Sequence, residues 1–139
     1  MALSQARPIR ANYSATCGGI SSDVWECWPV EPVQYLVSGR DGDGTTDWCA
    51  TSPSYRWREE WSAPEFVSNV GRYGAQQGVV LPAAGVGELI DVRVAERSHS
   101  GRVWRLEVVT STGTVVIPSY TLRMVLRRGR NSVAILRST

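Results

Sequence analysis

The sequence predicts an α+β fold, rich in strand, built on an antiparallel meander sheet with two short helices. Three observations carry this prediction. Ile90, Val92 and Val94 alternate with Asp91 and Arg93, and Trp104, Leu106 and Val108 alternate with Arg105 and Glu107, a period of two that buries one face of a strand. Ser98-His99-Ser100-Gly101 and Ser111-Thr112-Gly113 are turns that join these runs to each other and to Thr114–Ile117. Phe66, Val67 and Val70 before the meander, and Leu122, Val125 and Leu126 after it, have helical spacing.

From the start of the chain, residues 8–16 read as an extended segment that ends in a sharp turn at Cys17-Gly18-Gly19, since paired glycines permit positive φ. A Trp-rich, Pro-punctuated stretch follows from Trp25 to Pro32. Val33–Ser38 is expected as a short strand and Asp41-Gly-Asp-Gly44 as an exposed turn. Tyr55, Trp57 and Glu59 alternate with Arg56, Arg58 and Glu60, which predicts another strand. Ser62 and Glu65 are spaced as a capping box, and Pro64 is tolerated in a first helical turn, so a helix should start there and end between Gly71 and Gly78. The expected spans are strands over 88–96, 102–109 and 114–118 and helices over 63–72 and 120–128. The second helix is capped near Ser119 and stopped by Gly129, with a last strand at Val133–Leu136.

The length of 139 residues suits a single domain, 1–139. A hydrophobic content of 42% with 20% charged residues is that of a globular chain. The net charge of +2 gives no support for a nucleic-acid partner. All basic residues are Arg, and Arg can clamp carboxylates with two parallel hydrogen bonds. No membrane span is expected, because the most apolar run, Val79–Val86, is short and broken by Pro82 and Gly85. Met1–Arg10 has no apolar core of the signal-peptide kind. Nothing in the composition sets an oligomeric state.

Few residues offer chemistry. Glycan cleavage needs a carboxyl with a raised pKa in an apolar cleft. Glu59 and Glu60, beside Trp57 and Trp61, are the weak catalytic candidates, and a charged strand face is the plainer reading of the pair. His99 is the only histidine and sits in a Ser-rich turn with no evident base beside it. Three scattered cysteines and one histidine lack zinc-ligand spacing, and Asp41–Asp47 lacks the twelfth-position glutamate of a calcium loop, where Ser52 stands. The sequence thus implies neither metal nor cofactor. Trp25, Trp28 and Trp48 lie in irregular segments and are candidates for a sugar-binding groove, because aromatic faces stack on sugar rings. Cys17, Cys27 and Cys49 allow one disulfide at most.

Taken in order, several segments resemble the SpoIID/LytB (stage II sporulation protein D) family. Residues 8–19 resemble its strand ending in a Gly-Gly turn, and Val24-Trp25 its Val-Trp. Val33-Gln34-Tyr35-Leu36-Val37 resembles its next strand, followed by Cys49, Ser52-Pro53 and Trp57 in the family's order. Glu96-Arg97-Ser98-His99-Ser100-Gly101-Arg102-Val103 resembles its turn, and Leu122-Arg123-Met124-Val125-Leu126 its closing helix. The resemblance implies the middle-to-late part of a lytic transglycosylase domain acting on peptidoglycan glycan strands outside the cytoplasm. The family's catalytic-acid segment, its following helix and its His-Gly-rich closing segment do not occur here. The chain is therefore expected to be a binding or groove-forming module, not catalytic alone. Ser14, Gly18, Gly19, Trp25, Trp28 and Trp48 would contact substrate. The resemblance also implies a Cys17–Cys49 disulfide, with Cys27–Cys49 as the rival pairing and three reduced thiols as the alternative. Two further readings stand beside it, an interaction or scaffold protein that kept only the fold, and an enzyme using Glu59 or Glu60.

Overall fold

Residues 3–4 and 7–127 are described by a computed structural model. Two very short strands, β1 (Leu3–Ser4) and β2 (Arg7–Pro8), pair antiparallel. An extended stretch leads to the turn at Gly18 and Gly19, whose φ values of 70° and 100° lie in the region that favours glycine. One helical turn, α1 (Val24–Cys27), follows. Residues 28–61 then run as turns and bends with isolated bridges at Ile20↔Arg40 and Gly42↔Asp47.

Two strand expectations fail in this loop layer. Val33–Ser38 turns through a Leu36 N–H to Val33 carbonyl bond, and residues 55–60 run as bends and coil with no strand. Alternating apolar residues become a strand only when an adjacent strand takes up their backbone groups. In the first segment a side chain substitutes, as the Asp23 carboxylate accepts the Ser38 N–H at 2.5 Å.

The helix α2 (Ala63–Gln76) begins where the sequence predicts. The Ser62 hydroxyl accepts the Glu65 N–H, and the Glu65 carboxylate accepts the Ser62 N–H at 3.0 Å. The meander follows as β3 (Leu89–Arg97), β4 (Val103–Thr110) and β5 (Gly113–Pro118), antiparallel in the order β3-β4-β5. It closes on α3 (Thr121–Val125), whose N-cap is Tyr120 and not Ser119, and which has no side-chain cap. The fold is α+β and rich in strand. The expected strand at Val133–Leu136 and the stop at Gly129 lie outside the described residues.

Leu106 and Val108 of β4, Val115 and Ile117 of β5, Val70 of α2, Val79, and Leu122, Val125 and Leu126 at α3 form one buried cluster. Each buried aliphatic side chain contributes roughly 1.5–3 kcal/mol. The strand β3 is covered less than its alternation suggests. Val92 and Val94 pair with Val108 and Leu106 on the core side yet stay 41% and 44% exposed. Ile90 falls at a register shift between Leu89 and Asp91 and is largely exposed.

The loop layer is fastened to the β3–β4 turn by polar contacts. Glu26 is buried and accepts the Ser100 N–H at 3.1 Å and the Ser100 hydroxyl. Arg102 donates to the carbonyls of Ile20 at 3.2 Å and Cys17 at 3.4 Å, and Arg123 to that of Cys27 at 2.9 Å. Trp25 meets Trp104 edge to face, with ring centroids 5.1 Å apart. Among the described residues Val24 is the only buried hydrophobic side chain before Val70, so this layer has almost no apolar core of its own.

Candidate functional site

Three loops of this layer converge on two sulfurs. Cys17 stands at the Gly18-Gly19 turn, and Asp41 is tied to that turn by its N–H to the Gly19 carbonyl at 3.0 Å. Cys49 lies in the turn that begins at Asp47, where the Ala50 N–H donates to the Asp47 carbonyl at 3.0 Å. The Cys17 thiol donates to Asp41 Oδ2 at 3.1 Å, and its Sγ lies 3.5 Å from Cys49 Sγ. Donor atoms of Cys17, Asp41 and Cys49 all fall within 4.8 Å of one another, and each residue is half-buried.

Gly19 is required at the turn. A Cβ there would sit 2.2 Å from the Asp47 Oδ2 position, on a backbone already at positive φ. Asp47 in turn accepts the Tyr55 hydroxyl, and the Arg56 guanidinium stacks on the Tyr55 ring at 3.8 Å while donating to the Gly18 carbonyl at 3.3 Å. Opposite the turn, Asp43 caps its own loop by accepting the Thr45 hydroxyl at 2.7 Å and the Thr45 and Thr46 N–H groups, which hold its carboxyl down to about 2.

The two thiols are unlike. Burial, then the bond to the Asp41 carboxylate, pushes the Cys17 thiol up to about 11. The Thr16 hydroxyl foremost, with the Cys17 and Gly19 N–H groups and the Cys17 thiol, holds the Cys49 thiol below its ordinary value.

The other sequence candidates scatter. Ser14 is exposed on the extended segment, and Gly18 and Gly19 serve the turn. Trp25 packs on Trp104, and Trp28 ends α1 half-buried. Trp48, next to Cys49, is 71% exposed. Glu59 and Glu60 are exposed, and Glu60 pairs with Arg58 at 2.5 Å on the open surface, so no apolar cleft surrounds them. His99 Nδ1 faces both Asp23 Oδ2 at 3.4 Å and Ser38 Oγ at 3.1 Å. A serine triad needs carboxylate and nucleophile on opposite ring nitrogens, so this is a structural contact. Asp41 is the residue that sequence reasoning missed. Its turn setting hid it, because its ligand-like neighbours lie 24 residues upstream and eight downstream in no local motif.

Fold and site together define a small α+β domain with a polar loop layer organised around a thiol–thiol–carboxylate cluster. The chain belongs to the family described as Domain of unknown function (DUF8618), whose model matches residues 46–138. No curated protein and no solved structure matches it. The family match overturns the resemblance to SpoIID/LytB, to which nothing in the comparisons points. The misleading segments, Gly-Gly, Ser-Pro and Ser-x-Ser-Gly, are turn chemistry that unrelated loops share. Cys49 lies inside the matched span, and Cys17 and Asp41 lie before it. Among the described residues no helix is long and apolar enough to cross a membrane.

Proposed function

We propose that this chain is a non-catalytic recognition module whose binding surface is the loop layer, locked in shape by a cross-link between Cys17 and Cys49. The observation that carries the reading is the 3.5 Å approach of these two sulfurs, one of them on Cys49, the residue that follows the exposed Trp48. A layer with a single buried aliphatic residue needs such a lock to hold a surface still. Trp48 presents an open indole, and Trp57 is exposed in the same layer. Open aromatic faces on a fixed frame suit the apolar face of a sugar ring, so a glycan strand is the proposed ligand class. The exposed setting of Glu59 and Glu60 argues against cleavage, which requires a desolvated acid.

Sedimentation with purified peptidoglycan, and titration with its soluble glycan fragments, tests this. Wild type is expected to bind without releasing fragments, and Trp48→Ala to bind about tenfold more weakly, equivalent to ~1.4 kcal/mol. Absence of binding, or binding indifferent to Trp48→Ala, removes the glycan reading. Release of fragments that stops in Glu59→Gln or Glu60→Gln replaces it with an enzymatic one.

A further inference from the structure

We infer that Cys17, Asp41 and Cys49 form a binding site for a zinc-class divalent cation, and that this ion is the lock of the loop layer. The inference rests on the thiol-locked reading above and specifies the lock.

The ligand chemistry is that of zinc. Two sulfurs and one carboxylate oxygen form a borderline-soft donor set, which copper(I) leaves for all-sulfur sites and magnesium or calcium for all-oxygen ones. The spacing fits as well. With Zn–S near 2.3 Å and Zn–O near 2.1 Å, a tetrahedron places its sulfurs roughly 3.8 Å apart and sulfur and oxygen roughly 3.6 Å apart. The sulfurs lie 3.5 Å apart, Cys17 Sγ lies 3.1 Å from Asp41 Oδ2, and all three donors fall within 4.8 Å. Opening the two shorter distances by a few tenths of an ångström brings them to tetrahedral spacing.

Asp41 separates this site from a simple disulfide. Oxidation of the pair would remove the Cys17 S–H that the Asp41 carboxylate faces and leave the carboxylate against a sulfur with no proton. A cation satisfies all three donors at once. Two thiolates, a carboxylate and a divalent ion sum to one negative charge. Arg102, bonded to the Cys17 carbonyl, lies beside it. Three ligands leave a fourth position for water or for a donor group of a partner. Cys27, whose carbonyl is held by Arg123, is outside the set.

Reduced full-length protein is loaded with zinc, desalted and assayed for metal, and its affinity is measured by competition with a chromophoric chelator. One equivalent per chain is expected, with cobalt(II) giving the visible bands of a tetrahedral thiolate site. Asp41→Asn should weaken zinc at least about tenfold, Cys17→Ser and Cys49→Ser should abolish stoichiometric binding, and Cys27→Ser should leave it intact. Zinc should also protect Cys17 and Cys49 of the wild type from alkylation, a readout that needs no variant to fold. A folded, reduced chain that retains no zinc and yields a Cys17–Cys49 disulfide on air oxidation overturns the inference and leaves the thiol-locked reading standing. Binding that survives Cys49→Ser overturns it too. If there is neither zinc nor disulfide, and Cys17→Ser has no effect on the loop layer, both fall.

Discussion

At the scale of single residues, the two sulfurs of one site are set on opposite sides of the ordinary thiol value. Thiolate is the reacting form, so the difference translates into rate. In the reduced, metal-stripped chain at mildly alkaline pH, iodoacetamide should modify Cys49 well before Cys17, as read by peptide mass spectrometry. Thr16→Val removes the hydroxyl that does most to lower Cys49 and should slow that modification several-fold. Cys17 has its own pH consequence. Its folded value, raised from 9.0 to about 11, means the protonated form favours the fold. That contribution is whole below pH 9 and is lost as pH rises towards about 11. Urea unfolding across this window should show a loss of stability that Cys17→Ser lacks.

At the scale of elements, what the sequence revealed was what is settled locally. The start of α2 was legible because Ser62 and Glu65 satisfy each other's backbone groups within four residues. Ser62→Ala should cost about 1 kcal/mol of stability in denaturant unfolding, and Ser62→Gly only a few tenths. The meander was legible because strict alternation and two short turns leave one pairing that buries Leu106, Val108, Val115 and Ile117 together. The one-turn α1 was not legible, since four residues show no periodicity and its Glu26 is held by Ser100, 74 positions away. The expected strands at Val33–Ser38 and 55–60 misled for the converse reason: the alternation is present, and the chain turns and bends there instead of pairing as a strand.

At the scale of the molecule, two regions differ in what holds them. From Ala63 to Arg127 an apolar cluster does, and from Cys17 to Trp57 hydrogen bonds do. Regions with few buried apolar contacts open at lower free energy than the core. Amide exchange should therefore be fast in the loop layer and slow at Val108 and Val115. Leu106→Ala should lower global stability by about 2–5 kcal/mol. Cys17→Ser should speed exchange in the loop layer alone. The same division explains how far the site could be read from sequence. The Cys17–Cys49 proximity was expected only through a family resemblance that does not hold, while Asp41 joins them through a turn packed against Gly19, a tertiary fact that no local pattern encodes.

The strand β3 is an edge among the described residues, apolar on its core side and interrupted three times in register, at Leu89/Asp91, Val94/Glu96 and Glu96/Arg97. Its other face carries Asp91, Arg93 and Glu96, the first two paired at 2.7 Å. A straight, uncharged edge with the same valines would invite another molecule's strand and seed a fibril. The irregular register and the charges spoil that template along the edge where Ile90, Val92 and Val94 are exposed.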